Sequence, residues 1–250
     1  MRKRHFKPWE LMRPLSPEQM GLRYTSAQRI EISDKSCFFT KEEEFCLIVL
    51  EGCVHYGCGL CHGKAQMLDV LYVPINSSIT LESSGAVVMR YGAPCSIQYS
   101  FSHIRFSDVN SDHRHKVYGA EENGTRRDVW NFIDEDFPCG RFLVGICRGR
   151  DGGWTAWPPH EHAQKREEVY VYFNMGDGFG IQCVYEDMNQ PDTIALVRNG
   201  DLVSIPKGYH PNCGSPHGGI FYAYCMVATT EGDRTFMDLH CQNIYGDRLE

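Results

Sequence analysis

Trp157 to Phe173 reads WPPHEHAQKREEVYVYF, and Gly200 to His210 reads GDLVSIPKGYH. His160 and His162 are one residue apart, and in a β-strand that spacing puts both imidazoles on one face, where their ring nitrogens can share a metal ion. The run EEVYVYF alternates. Glu168, Tyr170 and Tyr172 fall on one face and Val169, Val171 and Phe173 on the other, so Glu168 rather than Glu167 is the expected third ligand. His210 follows Gly200, Pro206 and Gly208 in the spacing G-x5-P-x-G-x-H, a tight turn that supplies the fourth. Three imidazoles and a carboxylate suit one divalent ion, zinc first with manganese, iron or nickel as alternatives, and leave coordination positions open.

An isolated H-x-H is a weak signal, more often a pair of surface histidines beside solvated glutamates. The two-part pattern is stronger. H-x-H-x5-E followed by G-x5-P-x-G-x-H resembles the signature of the cupin superfamily, small β-barrels with a central metal. The commoner cupin spacing is one residue shorter and would select Glu167.

Away from these motifs, the chain has 250 residues, 42% hydrophobic, with 24 Gly and 12 Pro. Many turn formers among short aromatic strands imply an all-β protein, and the length suits two modest domains. A net charge of −7 without a basic stripe argues against a nucleic-acid partner. The aliphatic run CLIVL is far too short to span a bilayer, and the basic start MRKRHFKPWE lacks the apolar stretch of a secretory signal, so no membrane partner and a cytoplasmic location are expected. Twelve cysteines then belong to a reducing compartment. Cys53, Cys58 and Cys61 could be read as a zinc or haem motif, but their glycine-rich setting favours a hairpin turn.

The expected organisation is two barrels. Residues 1–115 form an N-terminal degenerate barrel preceded by an extended arm to residue 22, which could lie against a partner subunit in a homo-oligomer. Residues 116–250 form the metal-binding barrel. In the first half YVPINSS occupies the place of IPKGYH, with Pro74 matching Pro206, Asn76 standing for Gly208 and Ser78 for His210. No H-x-H precedes it, so only the second barrel is expected to carry metal. The polar stretch between the halves reads as a linker, its His113 and His115 as solvated. Asp177-Gly178 signals a hairpin. The last twenty residues show no strict period.

GTRRDVWNFI, RFLVGICRG, EEVYVYF, GFGIQCVY and NGDLVSIPKGYHP are similar to the isomerase family that contains 5-deoxyglucuronate isomerase and 5-keto-4-deoxyuronate isomerase. The resemblance is specific from about Gly124 to Cys225 and looser before. It departs in one place: only AQKRE separates His162 from Glu168, where the 5-deoxyglucuronate branch usually has a longer insertion. It implies a metal-dependent aldose-ketose isomerase of a deoxyuronic sugar, most similar to the 5-deoxyglucuronate branch of inositol breakdown, with the 5-keto-4-deoxyuronate enzyme of pectin breakdown as the alternative. An Fe(II) dioxygenase and a non-catalytic sugar-binding barrel are the readings from other classes. A proton-carrying group is needed, and Glu167 and Tyr172 are the candidates. A small-molecule sugar acid needs polar and cationic partners, for which Lys165, Arg166, Gln182 and Lys207, with Arg198, stand near the motifs.

Overall fold

The computed structural model describes residues 3–162 and 164–246. The first two residues of the arm, Ala163 and the last four residues lie outside them. After the short strand β1 (His5–Phe6), the first half runs through β2 (Ser26–Ile32), β3 (Ser36–Phe39), β4 (Glu43–Glu51), β5 (Cys53–Cys58), β6 (Cys61–Gln66), β7 (Val70–Val73), β8 (Ser78–Glu82), β9 (Ala86–Pro94) and β10 (Ser102–Ile104). They form two antiparallel sheets, ordered β10-β7-β4-β9-β2 and β3-β8-β5-β6. Phe45, Leu47 and Val49 of β4 point between these sheets with Leu71, Ile79 and Val88. Cys46, Ile48 and Leu50 point the other way, into a cluster shared with the second half. Both faces of β4 are thus covered, which is why CLIVL is unbroken by polar residues.

The second half comprises β11 (His115–Tyr118), β12 (Arg127–Ile133), β13 (Phe142–Gly149), β14 (Trp154–Thr155), β15 (His160–Glu161), β16 (Arg166–Tyr172), β17 (Gly180–Val184), β18 (Thr193–Val197), β19 (Leu202–Ile205), β20 (Asn212–Gly214), β21 (Ile220–Ala228) and β22 (His240–Cys241). A seven-stranded sheet ordered β1-β19-β16-β21-β13-β12-β11, a four-stranded sheet ordered β14-β20-β17-β18 and a ribbon of β15 with β22 result. The all-β expectation holds. A fully buried Leu, Ile or Val contributes roughly 1.5–3 kcal/mol, and both clusters are built largely of such side chains.

Three details differ from the sequence reading. The arm is not simply extended but is tied to its own chain: β1 pairs with β19 of the second half, His5 opposite Val203. It crosses directly over Gly200, whose backbone has φ +84° and where a Cβ would meet Pro8 Cγ at 2.6 Å. The stretch read as a linker contains β10, a short helix α1 (Phe106–Ser111) and β11, and His115 is tied to Asp128 at 2.9 Å and stacked on Trp130. Asp177-Gly178 lies in a turn, but the strands it joins, β16 and β17, belong to different sheets rather than to one hairpin. The cysteine-rich segment is a hairpin, with Cys58 opposite Cys61 across its end.

Each half fastens the other. Buried Glu44 accepts hydrogen bonds from Tyr72 Oη at 2.7 Å and from the backbone N–H groups of Gly140 and Arg141 at 2.8 and 2.7 Å, where the chain enters β13. Buried Glu167 accepts from the backbone N–H groups of Arg23, Tyr24 and Thr25 at 2.7, 2.9 and 2.7 Å and from Thr25 Oγ1 at 2.7 Å, where it enters β2. Both five- and seven-stranded sheets gain a short edge strand. β1 crosses from the first half to add to β19, and β10, which leads into the second half, adds to β7 within the first.

Candidate metal centre

The inner face of the seven-stranded sheet follows from register. Glu168 stands opposite Met226, and Tyr170 opposite Tyr224. All four line a cavity of about 100 Å³ together with His160 and His162. The ligand nitrogens of His160, His162 and His210 lie within 4.8 Å of one another. His160 and His162 share a face as their spacing requires, at a ring separation of 5.3 Å. The short strand β15 that carries His160 is held by β22, from a tail in which the sequence showed no pattern. Gly208 makes the turn that delivers His210: its φ is +90°, and a Cβ there would meet Tyr185 O at 2.7 Å.

His160 Nδ1 donates to Pro158 O at 3.0 Å, and His210 Nδ1 to Gly208 O at 2.9 Å. Donation to a carbonyl fixes the tautomer of each neutral ring and leaves the Nε2 lone pair free. Burial, together with the neighbouring imidazoles of His210 and His162, holds His160 well below the ordinary imidazole range, and burial lowers His162 as well. Burial pushes the Glu168 carboxyl up, but the imidazoles of His162 and His210 outweigh it and hold the group at about 2. His160 and His162 are therefore neutral imidazoles and Glu168 a carboxylate near neutral pH, the protonation that metal ligation needs.

The four side chains fit a cation by a direct test. Glu168 Oε2 lies 3.1 Å from His210 Nε2 and 3.5 Å from His162 Nε2. Neither Glu168 Oε2 nor His210 Nε2 has a hydrogen-bond partner, although both are buried. Two lone-pair atoms held that close, with the donor on His210 already committed to Gly208, cost free energy unless a positive charge lies between them.

The other expected site residues lie elsewhere. Glu167, adjacent to Glu168, points to the opposite face by strand geometry and is committed to residues 23–25. Tyr172 shares the face of Glu168 but is buried one step deeper, its hydroxyl donating to Gln182 Oε1. Gln182 Nε2 donates to the carbonyls of His210 and Cys183, both at 2.8 Å, so it braces the ligand turn from behind instead of facing the cavity. Lys165 pairs on the surface with Asp233 and Asp238 at 3.4 and 3.2 Å, and Lys207 with Glu186 at 2.8 Å. Arg166 is buried and donates to Thr235 O and Asp238 O, anchoring the tail. Arg198 is exposed.

The cavity instead presents Arg127, Tyr170, Tyr222 and Tyr224, under a cover of Phe236, Met237 and Leu239. The tyrosines were legible in principle, since Tyr224 and Tyr222, the cross-strand partners of Tyr170 and Tyr172, must share their face. The cover was not, because a loop has no period.

Three comparisons place the chain among known proteins. It is 30% identical over 234 residues to a 5-deoxy-glucuronate isomerase of Geobacillus kaustophilus, covering 85% of this chain and 83% of the relative. An IolB-like protein from Salmonella typhimurium superposes with a TM-score of 0.80 at 20% identity, over 94% of this chain and 93% of that one. The oxalate decarboxylase of Lactobacillus farciminis superposes with a TM-score of 0.69 at 9% identity, over 98% and 90%, a likeness of fold alone that extends across both barrels. The model of the KduI/IolB family matches residues 2–242, and the chain belongs to that family.

Proposed function

We propose that the protein is an isomerase that interconverts the aldose and ketose forms of a deoxyuronic sugar, with 5-deoxyglucuronate as its substrate. The observation that carries the proposal is the buried cluster of three histidines and one carboxylate on a cavity wall, in a chain 30% identical to a 5-deoxy-glucuronate isomerase. His160, His162, His210 and Glu168 would hold one divalent ion, zinc by preference. When bound there, such an ion supplies Lewis acidity, which makes a proton on the carbon beside a carbonyl easier to remove. The reaction moves that proton to the former carbonyl carbon and involves no net oxidation.

The chain's own residues do the rest. Met226, Phe236, Met237 and Leu239 give the cavity an apolar wall. Tyr170, and not Tyr172, lines the cavity: its ring lies 5.9 Å from that of His210, and burial, with Glu168 next to it, keeps its hydroxyl protonated, which suits it to donate a hydrogen bond and not to carry the proton. That hydroxyl is a donor for a substrate oxygen on which charge develops.

The test is a coupled assay with 5-deoxyglucuronate and with 5-keto-4-deoxyuronate, before chelation, after it, and after metal is restored. Turnover of 5-deoxyglucuronate that disappears and returns is expected. Turnover of neither acid by metal-replete protein, together with oxygen uptake on another substrate, would overturn the proposal in favour of a dioxygenase.

A further inference from the structure

Among the described residues, Arg127 is the one cation on the wall of the cavity that holds His160, His162 and Glu168. It is buried. Nη1 donates to Thr125 O at 3.1 Å and Nη2 to Trp157 O at 2.6 Å, and the guanidinium lies over the Tyr118 ring at 5.3 Å. Among the described residues no carboxylate pairs with it; the neighbouring Asp128 is committed to His115. A guanidinium has five N–H donors, so three are left over.

Arg234 gives the contrast. Also buried, it has both terminal nitrogens doubly occupied by the carbonyls of Asp134, Phe142, Glu135 and Phe137. That arginine is a structural clasp with nothing to spare on those nitrogens. Arg127 has half as many partners and opens on a cavity. A buried cation without a counter-charge is expensive, and the expense falls when an anion enters. The location also fits. Arg127 grips the carbonyl of Trp157, and the next carbonyl, that of Pro158, fixes His160. Guanidinium and ligand imidazole are therefore set by consecutive residues of one short segment.

We infer that Arg127 binds the carboxylate of the sugar acid and so orients the far end of the carbon chain toward the histidine cluster. This deepens the isomerase proposal and rests on it for the identity of the sugar. The preference for an acid over a neutral sugar does not depend on turnover, which separates the two tests.

The experiment is titration calorimetry of the full-length, metal-replete protein with D-glucuronate, its methyl ester and D-glucose. The wild type should bind glucuronate at least about tenfold more tightly than either neutral sugar, as expected for a charge-assisted bidentate contact. Arg127→Gln should reduce that preference to less than about twofold, and Arg127→Lys, which keeps the charge but not the fork, should retain part of it. A wild type without preference, or a folded Arg127→Gln protein that keeps it, overturns the inference. Should Arg127→Gln fail to fold, protection of Arg127 from phenylglyoxal in the wild type decides: shielding by glucuronate but not by glucose supports the inference, and equal shielding overturns it. A wild type that shows the Arg127-dependent preference but turns over no deoxyuronic sugar would refute the isomerase and leave this site standing.

Discussion

The two halves agree where they hold each other and differ where the second could hold a metal. Glu44 and Glu167 occupy equivalent places, each catching the backbone where it enters a strand of the other half, β13 and β2. Asp69 and Asp201 are a second equivalent pair. Asp69 takes His103 of the edge strand β10 at 3.0 Å, and Asp201 takes His5 of the edge strand β1 at 2.8 Å. Each also accepts from the backbone N–H three residues before it, Gln66 and Arg198. At the ligand positions the correspondence ends. Phe45 pairs with Val73 and Gly92 as Glu168 pairs with Ile205 and Met226, so a phenyl ring stands where the second half has its carboxylate. Arg90 covers that ring at 4.7 Å. Ser78 stands for His210. Residues shared by the repeat serve assembly, and residues unique to one half mark the chemistry.

The largest expected effect tests that division directly. His210→Ala should abolish retention of a divalent ion and lower turnover by more than about 100-fold, since loss of a ligand exceeds the effect of losing a residue that merely supports one. Ser78→Ala, its counterpart, should change neither. Elemental analysis of both proteins, purified alongside the wild type, checks the claim. Full metal in His210→Ala, or more than one ion per chain in the wild type, would break the contrast between the halves.

The comparison also explains what could be read from residues alone. Alternation in EEVYVYF put Glu168 on the inner face because a strand has a period of two whatever surrounds it. The turn around Gly208 was legible because only a few residues tolerate its backbone. Glu167 is a candidate proton carrier by residue type, but its partners in the fold are backbone N–H groups 142 to 144 positions away in the chain, and no side-chain pattern announces them. Arg127 was passed over because cations near the motif in sequence, Lys165 and Lys207, proved to be paired on the surface, whereas the cavity is lined from a strand thirty residues earlier. Proximity in the chain is a poor guide across a sheet in which β12 and β16 are separated by β13 and β21.

An intermediate effect is expected from the two fasteners. Glu44→Gln and Glu167→Gln each keep one acceptor oxygen but turn an amide donor toward backbone N–H groups, at a cost of about 2 kcal/mol by the usual penalty for unsatisfied buried donors. Urea unfolding should show losses of similar size at both sites, with turnover of the folded Glu167→Gln protein near that of wild type. A Glu167→Gln protein of unchanged stability and abolished activity would restore Glu167 to the chemistry and remove it from the equivalence.

The smallest effect concerns the one place where the paired aspartates are not alike. Asp201 has an additional partner, Lys7 Nζ at 2.8 Å, for which Asp69 has instead the backbone N–H of Phe106 at 2.9 Å. The Lys7 side chain is 35% exposed while Asp201 is buried. Burial raises the Asp201 carboxyl, but His5, Lys7 and the backbone N–H of Arg198 outweigh it and hold the group below its usual 3.8. An acid lowered in the folded state stabilises the fold above its unfolded pKa, and that contribution is lost as the pH falls below 3.8 toward the folded value. Removing Lys7 leaves Asp201 with His5 and Arg198, so Lys7→Ala should cost only about 0.5–1 kcal/mol at neutral pH, the range of a half-exposed ion pair. The loss should shrink as salt is added. A double-mutant cycle with Asp201→Asn isolates the pair from the rest of the arm. Coupling well above this range would mean that Lys7, and not the His-Asp contact common to both halves, holds the edge strand in place, and the symmetry of the two fastenings would then be one of appearance.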